Sequence, residues 1–264
     1  MSRIDAALAR ARAEERAALV VYLCAGDPDL ALTPALIRAA ADAGADVVEL
    51  GVPFSDPTAD GVVIQRASER ALRAGASLRG VLAAAAEARR HTDVPIVLFG
   101  YYNPLLTMGE ERVVAEAKAA GVDGFLVVDL PPEECAPLRD PALRAGLDWI
   151  SLVAPTSTPA RIELAAQMAT SFVYFISVAG VTGAGHADLA AASARAAAVR
   201  ERTGKPVAVG FGVRTVADVR AVAAHADAVV VGSAVVSAIE AAGRERAVDA
   251  VSALVRDLAS GTKR

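Results

Sequence analysis

Eight short apolar runs lie along the chain, each bounded by glycine, proline or aspartate. They are rich in valine, isoleucine and leucine and do not alternate strictly with polar residues, which is typical of strands covered on both faces. The runs are residues 19–24, 46–51, 95–101, 124–130, 148–153, 172–178, 206–211 and 228–232. We predict a strand at each of them.

Alanine-rich stretches with helical periodicity separate these runs. The clearest are residues 34–43, 110–120, 159–169 and 187–202. Thr33 and Thr158 each precede a proline at the start of such a stretch, which is a helix-start signal. Regular alternation of strand and helix predicts a parallel sheet of the α/β class, and eight repeats favour a closed (β/α)8 TIM barrel over an open sheet.

One helix-to-strand joint recurs four times and supports this count. It occupies residues 43–47, 120–124, 145–149 and 224–228. The first three have a glycine where a helix ends in the left-handed conformation, and all four have an aspartate before the strand. The chain uses nearly as many residues for two units between Gly44 and Gly121 as for three between Gly146 and His225. The excess lies after the second strand and predicts an extra helix over 78–90.

Composition agrees with one barrel domain spanning 1–264. The chain has 264 residues and 54% hydrophobic content, close to the ~250 residues of a typical barrel. The first seventeen residues are rich in arginine and alanine, but Asp5, Glu14 and Glu15 favour an amphipathic N-terminal helix over a transit peptide.

Charge and cysteine content indicate which classes of partner and which cellular location are compatible with the sequence. The formal net charge is -4 and no basic run is present, which argues against binding of nucleic acid or an anionic membrane. No apolar stretch approaches the ~20 residues that a membrane span requires. Cys24 and Cys135 have no ligand-like spacing, which indicates free thiols and a cytoplasmic location.

The segment 46–66 carries two carboxylates that are candidates for acid–base catalysis. Glu49 interrupts the second apolar run, and Asp60 stands just before a helical stretch. Glycines and prolines between them predict an irregular loop that can bring both carboxylates to one place. Two structural alternatives remain open at this point: Asp60 as the N-cap of a helix starting at Gly61, and Glu49 as a salt-bridged strand residue.

Glycines also follow the last three predicted strands, at residues 180–185, 210–212 and 232–233. Backbone N–H groups at such positions can approach an anion, and a helix starting at Ser233 would direct its positive end there. Phosphate sites of these barrels are often built from the loops after strands seven and eight. Thr182 and Ser233 are candidate hydroxyl donors to a phosphate, or capping residues.

Several chemistries lack the residues that they need. None of the lysines, Lys118, Lys205 and Lys263, ends a strand, so a Schiff-base mechanism has no nucleophile. The three histidines are scattered and form no metal-ligand pattern, and no GxGxxG follows the first strand. Carboxylate acid–base catalysis on a phosphorylated substrate, without a metal, is what remains.

Several motifs resemble the tryptophan synthase α subunit family, in order along nearly the whole chain. They are ELGVPFSDPTADG at 49–61, YYNP at 101–104, DLPPEE at 129–134, APT at 154–156, GVTGA at 180–184 and GFG at 210–212. The resemblance implies cleavage of indole-3-glycerol phosphate into indole and glyceraldehyde 3-phosphate. It also implies an α2β2 assembly, in which indole passes to a β subunit that carries pyridoxal phosphate, while this chain needs no cofactor.

The resemblance assigns roles to individual positions. Glu49 matches the family's catalytic acid/base, Asp60 its second carboxylate, and Tyr174 a tyrosine beside the substrate, although Tyr174 also suits a core position. Substrate contacts would come from Tyr22 and Phe211 at the indole, Tyr101 near the glycerol, and Gly183, Gly212, Gly232 and Ser233 around the phosphate. Thr182 remains a candidate phosphate donor from its position alone. Tyr22 and Tyr101 suit packing roles equally well. Asp129 is a catalytic candidate by position, or a turn residue.

Other functions remain to be separated from this one. Indole-glycerol-phosphate synthase would need a lysine at a strand end, and a phosphopentose epimerase would need metal-ligating histidines. A non-catalytic regulatory subunit would not need both carboxylates. A stand-alone lyase that releases free indole differs only in partner dependence, which the sequence does not reveal.

Overall fold

Eight parallel strands close into a barrel in which each strand pairs with its neighbours in sequence and β1 pairs with β8. The computed structural model describes residues 1–176, 186–210 and 212–264, with the backbone alone for 186–193. The strands are β1 Ala18–Cys24, β2 Val47–Gly51, β3 Ile96–Gly100, β4 Gly124–Val127, β5 Asp148–Val153, β6 Val173–Ile176, β7 Val207–Gly210 and β8 Ala228–Val231. The predicted (β/α)8 barrel and its eight strand positions are confirmed.

Helices surround the barrel and close its lower end. They are α1 Arg3–Ala13, α2 Thr33–Asp42, α3 Val62–Arg73, α4 Leu78–Arg89, α5 Tyr102–Met108, α6 Glu110–Ala119, α7 Ala136–Arg144, α8 Pro159–Met168, α9 His186–Thr203, α10 Val216–Ala223, α11 Ser233–Ala242 and α12 Ala247–Ala259. The predicted N-terminal helix is α1, and the predicted extra helix after the second strand is α4. Among the described residues, none of these helices is long and apolar enough to cross a membrane.

Alternate strand residues face the two sides of the barrel wall. On β1, Leu19 and Val21 pack outward in the helix-covered layer, whereas Val20 and Tyr22 belong to the barrel interior. On β2, Val48 and Leu50 pack outward and Val47 inward. Because side chains alternate along a strand, Glu49 shares the inward side with Val47.

The four joint aspartates lie at the amino ends of the strands, and three of them receive a backbone N–H from the preceding strand. Asp46 accepts from the Leu19 N–H at 2.9 Å, Asp123 from Ile96 at 2.8 Å and Asp227 from Val207 at 3.0 Å. Asp148 instead accepts the Thr170 hydroxyl at 2.7 Å. In three of its four copies, the repeat therefore supplies a side-chain hydrogen bond between neighbouring strands.

Helix α1 is fastened across this same end of the barrel. Arg10, Arg3 and Arg12 pair with the joint aspartates Asp46, Asp123 and Asp227, respectively. The apolar side of the helix, Ile4, Ala7 and Ala11, is buried against the interior cluster. The opposite end, where the strands finish, is thereby left as the open mouth.

Two helix starts differ in their chemistry. Thr158 caps α8 as predicted, since its side chain accepts the Arg161 N–H. Thr33 is the first residue of α2, so the predicted helix start is confirmed there, but Leu32 takes the N-cap position and the Thr33 hydroxyl accepts the Gly26 N–H. The short helix α5 gives no pattern in the sequence because its seven residues span less than the window in which periodicity shows.

Candidate active site

Glu49 lies inside the barrel in the middle of β2, level with Tyr22 of β1 and Val97 of β3. It is 1% exposed, and its Oε1 has no hydrogen-bond partner among the described residues. Burial raises the pKa of Glu49 to about 8, because desolvation disfavours the charged form. The salt-bridge alternative for Glu49 is therefore wrong within the described residues, and the group is a protonated carboxyl at neutral pH.

Asp60 ends the loop after β2 and points toward β3. Helix α3 is capped by Gly61 without a side-chain hydrogen bond, so the N-cap alternative for Asp60 is wrong. Its Oδ2 accepts the Tyr101 hydroxyl at 3.0 Å. Burial raises the pKa of Asp60 to about 6, against a lowering by that hydrogen bond, which leaves Asp60 mainly ionised at pH 7.

Tyr22 stands between the acid on β2 and the glycine end of β8. Burial raises the pKa of its hydroxyl well above the ordinary value, and the charges that Cys24, Asp60 and Glu49 carry at high pH act in the same direction. Its ring meets Phe99 edge-on at a centroid distance of 5.3 Å. A Cβ added at Gly232 would contact the Tyr22 side chain at 3.4 Å, so this ring links the carboxyl site to the start of α11.

Tyr174 occupies the interior of β6 and is 4% exposed. Burial raises its pKa well above the ordinary value, and the charges of Glu49 and then Asp60 act in the same direction. Both carboxyls therefore act on the same two tyrosines, and Tyr22 is level with Glu49 in the pairing of β1 with β2. The Tyr174 hydroxyl passes over the bare backbone of Gly210 on β7.

Gly51, the last residue of β2, leaves the space that the Tyr22 side chain occupies. A Cβ there would lie 2.5 Å from Cζ of Tyr22 and closer still to the hydroxyl, a distance that real atoms do not occupy. We expect Gly51→Ala to lower the free energy of unfolding by about 1–3 kcal/mol through overpacking, as measured by urea unfolding. Gly61→Ala is the control for a glycine replaced without a collision, since a Cβ there meets no atom within 4 Å; as the N-cap of α3 it is expected to lose at most about 1 kcal/mol.

A double-mutant cycle identifies the cause of that loss. If the collision with Tyr22 is responsible, Tyr22→Leu costs less stability in the Gly51→Ala background than in the original chain. Additive losses would contradict this explanation.

Only some of the residues predicted to contact phosphate lie in the part of the chain that the structure describes. Gly212 has a left-handed φ of 83°, and Gly232 caps α11, which begins at Ser233 as predicted. The N-terminal end of α11 therefore faces the mouth beside Tyr22, as an anion site requires. Thr182, Gly183 and Phe211 lie outside the described residues.

Two aromatic residues and one aspartate complete the surroundings. Phe99 packs on Tyr22, and Phe54 stacks on Tyr101 at 5.1 Å. Neither phenylalanine stands out in the sequence, although the inward alternation of β3 would have indicated Phe99. Asp129 Oδ1 accepts the Tyr102 N–H at 2.7 Å at the start of α5, which supports its structural interpretation.

A barrel that buries a neutral carboxyl on β2 and holds an ionised one at the end of the following loop defines a (β/α)8 enzyme suited to acid–base catalysis. Among the described residues, no three His, Cys, Asp or Glu side chains form a group that could hold a metal ion. The sequence profile of the tryptophan synthase alpha chain matches residues 8–263. The chain belongs to this family.

Individual relatives support the same conclusion over the full length. The tryptophan synthase alpha chain of Dechloromonas aromatica is 51% identical over 263 residues, covering 99% of this chain and 98% of the relative. That of Geobacter sulfurreducens is 54% identical over 240 residues, covering 91% of each.

Solved structures agree in fold. Tryptophan synthase subunit alpha of Legionella pneumophila has a TM-score of 0.90 at 35% identity, over 99% of this chain and 98% of the other. A chain of Mycobacterium tuberculosis tryptophan synthase gives 0.90 at 37% identity, over 100% and 99%.

The family defines the reaction. The alpha chain is a carbon–carbon lyase that cleaves indole-3-glycerol phosphate, and indole passes to a β subunit. Pyridoxal phosphate belongs to that β subunit and not to the alpha chain.

Proposed function

We propose that Glu49 and Asp60 divide the chemistry of indole-3-glycerol phosphate cleavage between a proton donor and a fixed negative charge. The observation that carries this proposal is the difference between their environments. Glu49 is fully buried with a pKa of about 8, and Asp60 is partly exposed with a pKa of about 6. Opposite protonation states in one site are what an acid and an electrostatic partner require.

In this mechanism Glu49 delivers its proton to C3 of the indole ring. Positive charge then builds on the ring, and the carboxylate of Asp60 stabilises it at the N1–H. Glu49, now a base, removes the proton of the neighbouring glycerol hydroxyl. The O–H electrons form the aldehyde C=O of glyceraldehyde 3-phosphate, the carbon–carbon bond breaks, and its electrons return to the ring as indole leaves.

The remaining contacts follow from position at the mouth. We assign Tyr174 to the edge of the reacting groups, Tyr22 and Phe211 to the faces of the indole ring, and Tyr101 to the region of the glycerol. The phosphate would be held by Thr182, Gly183, Gly212, Gly232 and Ser233. The start of α11 at Ser233 supports this assignment, since N–H groups and the helix dipole favour an anion there.

The protonation states predict a bell-shaped pH dependence of kcat/KM for release of indole. Activity is expected to rise with pH as Asp60 ionises near pH 6 and to fall as Glu49 ionises near pH 8. Initial rates across pH 5–9 provide the measurement. Asp60→Asn should lower activity and abolish the acidic limb while leaving the alkaline limb, and an unchanged acidic limb would exclude Asp60 as its source.

At the level of the assembly, we propose a single barrel domain over 1–264 that works in the cytoplasm as part of an α2β2 heterotetramer. Support comes from the family, whose alpha chain has a β-subunit partner, and from the free thiols Cys24 and Cys135. Co-expression with the β subunit, followed by mass measurement and an assay of cleavage, tests the stoichiometry. A chain that stays monomeric and reaches full activity alone would contradict it.

A further inference from the structure

Tyr101 follows the last residue of β3 and is 4% exposed, with its hydroxyl directed at the loop after β2. That hydroxyl makes two hydrogen bonds to adjacent loop residues. It accepts the Ala59 N–H at 3.0 Å and donates to Asp60 Oδ2 at 3.0 Å. Its ring stacks on Phe54 with an interplanar angle of 29°. One side chain therefore contacts the loop near its beginning and at its end.

The direction of the two bonds fixes where the phenol proton lies. A tyrosine hydroxyl has one proton to donate. Because the backbone N–H of Ala59 can only donate, the hydroxyl is the acceptor in that pair, and its own proton is left for Asp60. A donor aimed at a carboxylate stabilises the ionised form and restricts the carboxylate's orientation.

We propose that Tyr101 is a positioning residue, which holds the Asp60 carboxylate ionised and oriented toward the barrel mouth by linking it to β3. This inference rests on the role given to Asp60 under the proposed function. It assigns the Tyr101 hydroxyl to Asp60, and the side chain keeps its proposed place in the region of the glycerol without a hydroxyl contact to substrate. Burial, followed by the charge of Asp60, raises the pKa of the Tyr101 hydroxyl, so the phenol keeps its proton throughout the working range of pH.

Tyr101→Phe tests the proposal because it removes the hydroxyl and retains the ring on Phe54. Without its donor, Asp60 binds its proton more tightly, and the acidic limb of the kcat/KM profile is expected to move to higher pH by about one pH unit. At pH 6 this corresponds to a loss of about fivefold, with a smaller loss at pH 7.5. The alkaline limb, which belongs to Glu49, should not move.

Tyr102→Phe is the matched control. Tyr102 is the next residue, and its hydroxyl donates to Glu110 at 2.7 Å, on α6. We expect this variant to keep the profile of the original chain. Equal shifts in both variants would mean that any lost tyrosine hydroxyl near α5 disturbs the enzyme, and would overturn the proposal.

The Asp60→Asn background separates positioning from substrate binding. If Tyr101 acts through the carboxylate, adding Tyr101→Phe to Asp60→Asn should cost less than twofold in kcat/KM, because the interaction is already lost. A further tenfold loss in the double variant, or a single variant with raised KM and an unmoved acidic limb, would show that the hydroxyl contacts substrate and would overturn the inference.

The two levels of proposal fail in different ways. An acidic limb that persists in Asp60→Asn contradicts the role of Asp60 and with it the proposed function. An acidic limb that disappears in Asp60→Asn but stays in place in Tyr101→Phe contradicts the role of Tyr101 alone. Thermal unfolding of each variant at pH 7 checks that the barrel is intact before rates are compared.

Discussion

Glu49→Gln is expected to lower the turnover of indole-3-glycerol phosphate by at least about 10²- to 10⁴-fold, the range that general acid–base catalysis supplies. Glutamine has nearly the shape of the protonated carboxyl but cannot release or take up a proton. Since Glu49 is the neutral member of the site, the amide should leave the charge of the pocket at pH 7 unchanged. The loss should therefore fall on kcat, with binding of substrate retained.

Single-turnover release of indole measures the chemical step, and titration with a non-cleavable glycerol phosphate analogue measures binding. Glu245→Gln, at an exposed glutamate between α11 and α12, is the control and should behave like the original chain. Near-normal turnover in Glu49→Gln would reject Glu49 as the proton shuttle. A selective loss of analogue binding would instead make Glu49 a binding group.

The same substitution is expected to stabilise the folded protein. Burial raises the pKa of Glu49 from 4.5 in its ordinary state to about 8 in the barrel. Above pH 4.5 the unfolded chain gains by ionising this group and the folded chain does not, so stability falls as pH rises through the interval up to 8. At pH 7 the loss is on the order of 3 kcal/mol, and Glu49→Gln should recover most of it.

Urea unfolding at pH 5, 7 and 8 measures this effect. The difference in free energy of unfolding between Glu49→Gln and the original chain should be small at pH 5 and should grow toward pH 8. Glu245→Gln, at an exposed position, is the control for loss of a glutamate. A difference that stays constant with pH would contradict the raised pKa of Glu49, whatever the activity data show.

The architecture could be predicted from the sequence because its signals are local. Apolar runs and glycine-ended joints repeat along the chain, and each joint places its aspartate before a strand. The purpose of those aspartates could not be predicted in the same way. The bond from Leu19 to Asp46 joins residues 27 apart, and the ion pair from Arg3 to Asp123 crosses 120. Such contacts exist only after the barrel has closed.

For the site too, the residues could be predicted from local sequence, but their environment could not. Glu49 is recognisable because an acid in an apolar run is unusual, and Asp60 because it ends a loop of glycines and prolines. Their pKa values depend on burial and on Tyr101, which is 41 residues from Asp60 in sequence. The notches at Gly51 and Gly210 that admit tyrosine side chains also depend on the pairing of neighbouring strands. Neither the pKa values nor the spaces at Gly51 and Gly210 can be predicted from residue identity alone.

The carboxyl group has different roles at the two ends of the barrel, in the joint aspartates beside α1 and in the acids at the mouth. At the amino ends of the strands, three of the four joint aspartates are satisfied by arginines and backbone N–H groups, so their replacement is expected to lower the yield of folded protein. At the mouth, a carboxyl is kept short of partners, and its replacement leaves abundant protein that turns over slowly. In a mutagenesis library, a screen for expression would therefore reject substitutions of the joint aspartates. A screen for tryptophan prototrophy would also reject substitutions of the acids at the mouth.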